Sequence, residues 1–477
     1  MRRKLPIIFT LGLLLTASSA WAQTVEIDGI WYNISSSGAT VESNKTFAGP
    51  TVNIPDAVQY NSKSYNVTAI TGKAFKDNTN ITSVHIGRNV SDIGFRAFEY
   101  CTNLATLTFS ESATLLTINE QAFQGCGLTS LTLPSRVYKL FGRAFADCDA
   151  LTSLTVFNGL IYDTSSDAFG DCNNLTTVTI LGSGVITTNN PVHKDGGGAY
   201  QYMTTLIIGD DITTIGDEAF KGCTELTSLT IGNGVKTIYQ KAFYNCTELT
   251  NVTIPSNVTD IRTEAFRGSA GPFVLNSNPI LGTEAFDAGA TVTMNLTANG
   301  PVDGYYWTTF YNNYTTRNMQ ADENTTVYKG TISGSNIVLT EVEDKIVNSG
   351  TAVILKSTSD QPVMTFTGLP SQDKHGNDLK GTMADKNTPE NCYTLAGKGG
   401  KVGFYKYVGA KIKAGKAYLI YTSGSREFLG FDETTGVSQI ENGELRMENS
   451  FYDLQGRKVT KPTKGLYIVN GKTVVIK

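Results

Sequence analysis

The chain is short of histidine and of charged side chains. Its three histidines, His85, His193 and His375, have no second histidine, cysteine or carboxylate at the spacing that metal sites use. Only 17% of its 477 residues are charged, and 39 basic against 43 acidic residues give a net charge of −4 without a basic stripe. We therefore expect no metal or other cofactor and no nucleic-acid partner, since phosphate binding requires clustered Lys and Arg.

Motifs of catalysis are also missing from the sequence. It has no Gly-x-Ser-x-Gly elbow, no P-loop and no His-Glu-x-x-His motif. The segments DNTN (77–80) and DKHGND (373–378) carry oxygen ligands but lack the spacing and the terminal Glu of an EF-hand. Two carboxylates on distant strands can form a glycoside-hydrolase pair, but no particular pair stands out. We expect no enzyme activity.

Long apolar runs are absent beyond the N-terminus. The one such run, residues 5–19, follows three basic residues at 2–4 and is shorter than the ~20 residues of a membrane span. The small-x-small sequence Ala-Trp-Ala at 20–22 completes a pattern typical of a signal peptide, residues 1–22. This pattern predicts export to the extracellular space or the outer-membrane surface. Gln23 is then the first mature residue, and no Cys follows the cleavage site to carry a lipid anchor.

An internal repeat occupies the first part of the chain. DEAFKGCTELTSLTIGNGVKTI (217–238) is followed by QKAFYNCTELTNVTIPSNVTDI (240–261). The Phe of the Ala-Phe pair recurs every 20 to 25 residues, apart from one interval of 51 that Ala199-Tyr200 divides, which gives ten units. The repeat Phe residues are Phe75, Phe98, Phe123, Phe145, Phe169, Phe220, Phe243, Phe266 and Phe286.

Each unit contains one short strand and one turn segment. In LTSLTIGNGVKTI the apolar residues end in a period-two step, typical of a strand, and Gly232 ends it. The segment KAFYNC is too short for a free-standing helix and predicts a single helical turn. Because no unit buries its apolar columns alone, stacked units must bury one another. The sequence therefore predicts a β-rich solenoid with a parallel sheet on one face and short helical turns on the other, and its period fits leucine-rich repeats.

The pattern IGDEAFKGCTELTSLTIGNGVKTI resembles the BspA-like leucine-rich repeats of Bacteroidetes surface proteins, over residues 50–288. The Ala-Phe pair, the Cys and Leu columns and the Ile-Pro or Ile-Gly strand end all match, while Asn78 and Ser269 replace the Cys in two units. VNIPDAVQYNSKSYNVTAI (52–70) is similar to the hairpin that often opens such arrays. The resemblance implies a scaffold that meets host or microbial macromolecules at the cell surface.

Six cysteines form a column three residues after the repeat Phe, a register that packing sets. A buried Cys acts as a small hydrophobe with a weak S–H donor. Disulfides are the alternative, since stacked units can bring Cα atoms within the roughly 4.4–6.8 Å that a bridge needs. We predict free thiols, because the column also accepts Asn78 and Ser269. The column comprises Cys101, Cys126, Cys148, Cys172, Cys223 and Cys246, and the seventh cysteine, Cys392, lies outside the repeats.

Alternation along the strands predicts a polar outer face of the sheet. Its members are mostly Ser and Thr, with almost no charge and without Phe, Tyr or Trp. One interpretation is a solvated surface, since Thr suits strands, and the other is a broad hydrogen-bonding surface for a ligand. The candidate binding residues are Ser83, His85, Thr106, Thr108, Ser130, Thr132, Ser153, Thr155, Thr177, Thr179, Ser228, Thr230, Asn251 and Thr253.

The other segments are also β-rich. Residues 23–49 are predicted to form an N-terminal β cap, and residues 290–432 an all-β sandwich-like domain with short strands and Gly, Asn and Asp turns. The run GYYWTTFYNNY (304–314) either fills the core of this domain or stacks on sugars. A polar linker, 433–450, precedes a small C-terminal β-module, 451–477. This module is similar to the sorting domains of the type IX secretion route, and the alternative is a terminal module with no sorting role.

These features predict a secreted or cell-surface, non-catalytic binding protein that adheres through its repeats. The expected partner is an extracellular protein or glycan of the host or of a neighbouring microbe. Two alternatives remain open. One is an accessory protein that binds or degrades glycans, and the other is a structural spacer at the cell surface.

Overall fold

The structure is a computed structural model. It describes residues 22–476 except 45, 163–166, 189, 191–201, 313, 315–316, 335, 370, 374, 383–385, 399–400, 413–415, 423–425, 433–437, 441–450, 453–457, 460–464 and 470–471. These described residues form strands joined by turns, and none of them belongs to a helix long and apolar enough to cross a membrane. The predicted signal peptide before Ala22, His193 and most of the 433–450 linker lie outside the described residues.

The chain forms two compact units. Unit 1 contains the residues up to Gly232 together with Cys246–Glu248, and unit 2 contains Asn233–Asn245 and Leu249–Lys477. The strands of unit 1 are β1 (Gln23–Ile27), β2 (Ile30–Ser35), β3 (Gly38–Val41), β4 (Thr51–Ile54), β5 (Ala57–Tyr60), β6 (Lys63–Ile70), β7 (Ser83–Ile86), β8 (Asp92–Ile93), β9 (Thr106–Phe109), β10 (Leu116–Ile118), β11 (Ser130–Thr132), β12 (Val137–Leu140), β13 (Ser153–Phe157), β14 (Ile161–Tyr162), β15 (Thr177–Leu181), β16 (Gly184–Ile186), β17 (Thr205–Ile208), β18 (Ile212–Ile215) and β19 (Ser228–Thr230).

Parallel sheets run through unit 1, as the repeat predicts. One sheet has the order β1-β2-β3-β6-β8-β10-β12-β14, with β5 on β6. It is antiparallel from β1 to β3 and parallel from β3 onward. The candidate binding face belongs to two other parallel sheets, β4-β7-β9 and β11-β13-β15-β17-β19. The predicted strand-rich, parallel-sheet repeat fold is thus confirmed.

The turn segment around the repeat Phe differs from the predicted helical turn. The N–H of Phe98 donates to the Ala122 carbonyl of the next unit at 2.7 Å, whereas the N–H of Cys101 donates three residues back, to Phe98, at 3.1 Å. This alternation places the second residue on each side of the Phe in the left-handed region, as at Arg96 and Tyr100, both with φ 57°. An α-helix cannot form here, because its N–H groups all point along one axis.

The repeat Phe side chains stack into ladders in the cores of both units. In unit 1, neighbouring rings from Phe75 to Phe169 have centroids 4.9 to 5.5 Å apart and planes within 8° of parallel. In unit 2, the ring of Phe266 lies 5.1 Å from Phe243 and 5.4 Å from Phe286. Each pair contributes roughly 0.5–1.5 kcal/mol beyond the burial of its area. The Phe column is therefore a packing feature.

Unit 2 contains the last repeats and the C-terminal half of the chain. Its strands are β20 (Thr237–Ile238), β21 (Val252–Ile254), β22 (Asp260–Ile261), β23 (Phe273–Leu275), β24 (Ile280–Leu281), β25 (Val292–Asn295), β26 (Asn299–Val302), β27 (Tyr305–Tyr311), β28 (Asn318–Ala321), β29 (Thr325–Ser333), β30 (Asn336–Glu341), β31 (Ile346–Val347), β32 (Ala352–Ser357), β33 (Val363–Thr367), β34 (Lys380–Gly381), β35 (Lys386–Asn387), β36 (Cys392–Lys398), β37 (Lys401–Lys406), β38 (Lys411–Ile412), β39 (Ala417–Ile420), β40 (Phe428–Asp432), β41 (Ser438–Ile440), β42 (Phe451–Tyr452), β43 (Lys458–Val459), β44 (Gly465–Val469) and β45 (Lys472–Ile476).

The sheets of unit 2 change from parallel to mainly antiparallel pairing after the repeats. One sheet begins with the parallel strands β21-β23-β25 and continues through the antiparallel strands β33-β28-β31. A ten-stranded sheet has the order β26-β27-β32-β29-β30-β40-β37-β36-β39-β34, and its β30–β40 pair is parallel. A last sheet, β41-β45-β44-β42-β43, contains strands of the predicted C-terminal module.

The aromatic run on β27 is mainly part of the core of unit 2. Phe310 and Tyr314 are buried. Trp307 and Tyr311 pack against the core cluster that includes Ile354, Tyr393, Phe404 and Leu419. Tyr305 alone among the large apolar side chains of this run is strongly exposed, at 38%. This placement favours core filling over sugar stacking for the run.

Candidate binding face

The outward residues of the parallel strands in unit 1 form two columns in register, which we call the hydroxyl columns. Along β11, β13, β15, β17 and β19, Ser130, Ser153, Thr177, Thr205 and Ser228 are successive partners. The second column contains Thr132, Thr155, Thr179, Ile207 and Thr230. Because neighbouring strands lie ~4.7–4.9 Å apart, the first column repeats a hydroxyl at that spacing, and the second does so except at Ile207.

The sheet β4-β7-β9 presents the same arrangement with a different composition. Ser83 and Thr106 are register partners, and so are His85 and Thr108. The strand β4 adds a row that the sequence analysis missed, since Thr51 pairs with Ser83, and Asn53 pairs with His85. The exposed-buried alternation of TVNI (51–54) is the signal that identifies this strand. The sequence analysis did not assign this strand to the face because it interpreted residues 52–70 as part of an opening hairpin.

The His85 imidazole is held between hydroxyl groups. Its Nδ1 lies 2.9 Å from the Thr108 Oγ1, and its Nε2 lies 3.0 Å from the Ser110 Oγ. The ring is only partly exposed. Both nitrogens are therefore used within the protein, and His85 is a fixed part of the surface rather than a free base or metal ligand.

Two candidate residues lie on unit 2, and one is misplaced by the strand prediction. Thr253 is exposed on β21 and pairs with Val274. Asn251 lies before β21 begins at Val252, and its φ of 54° is left-handed. The period-two count therefore extended one residue too far, because Asn adopts this conformation more readily than most residues. Asn251 is a turn residue and not a member of a strand column.

Threonines that flank the columns are bonded within the protein. The side chain of Thr152 donates to the Thr129 carbonyl at 3.1 Å, and that of Thr227 donates to the Thr204 carbonyl at 3.1 Å. By contrast, in the part of the chain that the structure describes, no protein partner occurs for the hydroxyls of the candidate residues on β11 to β19. These are Ser130, Thr132, Ser153, Thr155, Thr177, Thr179, Ser228 and Thr230. These hydroxyls are open to a ligand or to water.

The chemistry of this face is hydrogen bonding without charge. Each Ser or Thr hydroxyl supplies one donor and two acceptor lone pairs. Among the described residues, no group of three or more His, Cys, Asp or Glu side chains is placed to hold a metal ion. The arrangement can bind a polar polymer at many weak points.

The predicted Cys column lies in the core and not on the binding face. All six thiols are buried and free in the structure. In five of them the thiol donates to the carbonyl of the repeat Phe one unit earlier, as Cys126 does to Phe98 at 3.2 Å and Cys246 to Phe220 at 3.3 Å. The same contact occurs for Cys101, Cys148 and Cys172, at 3.1, 3.4 and 3.1 Å.

Burial changes the acidity of these thiols. It raises the pKa of Cys101 to about 12. The same loss of solvation raises the pKa of Cys126 well above its ordinary value. The pKa of Cys148 is also raised, mainly by its hydrogen bond with Cys172 and in addition by burial. Since the thiolate is the reactive form, the thiols of the column are unreactive in the folded protein.

The repeat region, which holds the parallel strands, the Phe ladder and the Cys column, is also the part of the chain that matches a family model. Residues 68–190 and 199–299 match the family model described as BspA type leucine rich repeat region, in six copies. The predicted family resemblance is thereby confirmed for these residues. No curated protein matches the chain.

Several solved structures of leucine-rich repeat proteins are similar to the chain. A leucine-rich repeat protein from Bacteroides ovatus is 19% identical, with 56% of this chain and 92% of that chain covered and a TM-score of 0.24. The leucine-rich repeat protein of T. pallidum is 21% identical, with 48% and 91% covered and a TM-score of 0.32. A leucine-rich cell surface protein from Faecalibacterium prausnitzii is 18% identical, with 55% and 97% covered and a TM-score of 0.25.

Proposed function

We propose that the chain is an exported, non-catalytic binding protein of the cell surface or the extracellular space that adheres to a polar macromolecule through the hydroxyl columns. The observation that supports this proposal is the contrast between neighbouring hydroxyls. Thr152 and Thr227 are bonded to backbone carbonyls, while the hydroxyls of the columns on β11 to β19 have no protein partner among the described residues.

The columns suit a partner that is extended and repetitive. A single surface hydrogen bond contributes only about 0.5–1.5 kcal/mol net. Repeat proteins use long regular surfaces to sum such contacts. A polysaccharide or an extended protein segment of the host or of a neighbouring microbe presents hydroxyl or amide groups at many points. Affinity then depends on the number of strands engaged rather than on one residue.

Charge placed across several strands tests this proposal. The partner is first selected by screening the purified 23–477 chain against matrix proteins and polysaccharides. Ser130→Glu alone is expected to weaken binding by less than about tenfold, since it removes one contact. The combination of Thr106→Glu, Ser130→Glu, Ser153→Glu and Thr177→Glu is expected to abolish measurable binding without unfolding the protein, because these side chains are at least partly exposed.

The matched control places the same four charges on other partly exposed positions of unit 1, and it is expected to bind as the parent does. Its substitutions are Ser91→Glu, Thr117→Glu, Ser135→Glu and Thr213→Glu. If the fourfold Glu variant folds and binds like the parent, the columns are a solvated surface that does not bind the partner. This result favours the role of a structural spacer. Binding that residues 290–435 retain alone moves the site to the C-terminal β-rich region.

A further inference from the structure

A cavity of about 210 Å³ lies in unit 2, among strands of the ten-stranded sheet. Its lining includes Asn299, Thr308, Leu395, Tyr407 and Lys416. These residues come from distant segments, so no local sequence motif marks the site. None of the lining residues that the structure describes is acidic.

The Thr308 hydroxyl is the first sign of a built site. The residue is only 2% exposed, and its hydroxyl has no hydrogen-bond partner among the residues that the structure describes. Its neighbour Thr309 differs, because the Ala417 N–H donates to the Thr309 Oγ1 at 3.2 Å. Thr308 lines the cavity, so its hydroxyl is available to a ligand. A hydrogen bond from a ligand to this hydroxyl contributes about 0.5–1.5 kcal/mol net.

Lys416 supplies the only positive charge among the described residues that line this cavity. Its ammonium forms no ion pair with any residue in the described part of the chain. Lys416 is an exposed residue, and partial loss of solvation around its ammonium lowers its pKa. A carboxylate placed beside this ammonium replaces the missing counter-charge.

The remaining lining sets the size and shape of the ligand. The volume of about 210 Å³ corresponds to about seven water molecules at roughly 30 Å³ each, which suits one sugar ring. Leu395 and the Tyr407 ring offer apolar surface, and the C–H face of a pyranose stacks on such surface. Asn299 and the threonines match ring hydroxyls. A single ammonium among neutral groups suits a singly charged carboxylate better than a doubly charged phosphate.

We propose that this cavity binds one acidic sugar residue of the uronic acid class, with its carboxylate on Lys416 and a ring hydroxyl on Thr308. The site lies in unit 2 and is independent of the hydroxyl columns. It gives the protein a second, sugar-specific contact besides the repeats. The columns can fail as a binding face while this site remains, because the test uses monosaccharides and variants of unit 2 alone.

Calorimetric titration of the 23–477 chain with glucuronate, glucose and acetate tests the site. Glucuronate is expected to bind in the millimolar range, and glucose and acetate each at least about tenfold more weakly, since one lacks the charge and the other the ring. Lys416→Met keeps the stem and is expected to weaken glucuronate about tenfold or more, a change of about 1.4 kcal/mol. Thr308→Val preserves the shape and is expected to weaken it by about twofold to tenfold.

Lys401→Met, at an exposed lysine outside the lining, is the control and is expected to bind glucuronate as the parent does. Thermal unfolding of each variant verifies that it folds. If Thr308→Val fails to fold, Lys416→Met alone decides the result. The proposal is overturned by an absence of millimolar glucuronate binding, by equal affinity of the parent and Lys416→Met, or by acetate binding as tightly as glucuronate.

Discussion

The Cys101 thiol donates to the carbonyl oxygen of Phe75, 3.1 Å away and one repeat earlier. At the same position of another unit, the Ser269 hydroxyl donates to the Phe243 carbonyl at 3.1 Å. In the first repeat, the Asn78 amide donates to the Phe47 carbonyl at 2.7 Å. The residues of this column thus share a side-chain donor to a backbone carbonyl, which explains why Cys, Ser and Asn replace one another.

A matched pair of substitutions at Cys101 measures this requirement. Cys101→Ser and Cys101→Ala leave side chains of similar size and differ in the donor. We expect the Ala variant to be less stable than the Ser variant by about 0.5–1.5 kcal/mol, because only Ala removes the side-chain hydrogen bond to the Phe75 carbonyl, which still accepts from the Asn78 N–H at 3.2 Å. Urea unfolding of both variants and the parent provides the free energies. Equal stability of the two variants contradicts a hydrogen-bonding role for the column.

Alkaline pH is expected to weaken the fold through the same thiols. Burial raises the pKa of Cys101 to about 12, whereas an unfolded Cys ionises near about 8.5. Between these values the unfolded chain releases protons that the folded protein keeps. The stabilising contribution is therefore complete below about pH 8.5 and is lost as the pH rises toward 12, at about 1.4 kcal/mol per pH unit for each such thiol.

Cys101→Ser removes one titrating thiol and provides the comparison. The difference in unfolding free energy between the parent and Cys101→Ser is expected to shift against the parent by about 1 kcal/mol between pH 8.5 and 9.5. Urea unfolding at several pH values measures this shift, and other titrating groups cancel in the difference. A pH-independent difference shows that the Cys101 thiol ionises equally in both states.

Local pattern was sufficient for the repeat strands but not for the turn segments. The outward placement of Ser153 and Thr155 follows from alternation, because Leu154 and Val156 are buried between and beside them. The conformation around Phe98 does not follow, since its N–H bonds to Ala122 of the next unit, and a residue's own neighbours do not encode an acceptor about a full repeat away.

The cavity in unit 2 could not be predicted from the sequence either, because its lining residues are far apart along the chain. Thr308 and Lys416 lie more than a hundred residues apart, and a single cation in a β-rich segment carries no motif. Asn251 shows the opposite failure, since periodicity is a local rule that does not mark where a strand begins. The strand and core columns were therefore predictable, while hydrogen bonds between units and sites made from distant strands were not.

Substitutions at two glycines in equivalent positions of unit 1 distinguish the cost of a left-handed backbone from the cost of steric crowding. Gly125 and Gly222 both have positive φ, of 67° and 78°. A Cβ at Gly125 lies 2.4 Å from the Tyr100 ring, while a Cβ at Gly222 meets nothing within 4 Å. Gly222→Ala is expected to destabilise the protein by about 1–2 kcal/mol, the cost of a left-handed backbone, and Gly125→Ala by more.

The double variant Gly125→Ala with Tyr100→Ala isolates the contact. It is expected to remove the excess cost of Gly125→Ala over Gly222→Ala, because the ring that crowds the new Cβ is gone. Denaturant unfolding of the single and double variants gives the coupling free energy. No coupling between positions 100 and 125 contradicts the crowding explanation and leaves backbone strain alone.

Export is expected to depend on both ends of the chain. Cleavage after Ala22 requires a small side chain at that position, so Ala22→Arg is expected to leave the precursor uncut, while Trp21→Phe at the tolerant middle position matures normally. Mass spectrometry of protein from the native host identifies the first residue, expected to be Gln23.

The sorting role predicts that deletion of 451–477 keeps the matured chain inside the cell envelope, and that the exported parent is trimmed or modified between 436 and 477. Secretion of the deleted chain at the parent level, or an untouched tail on released protein, identifies 451–477 as a terminal module with no sorting role.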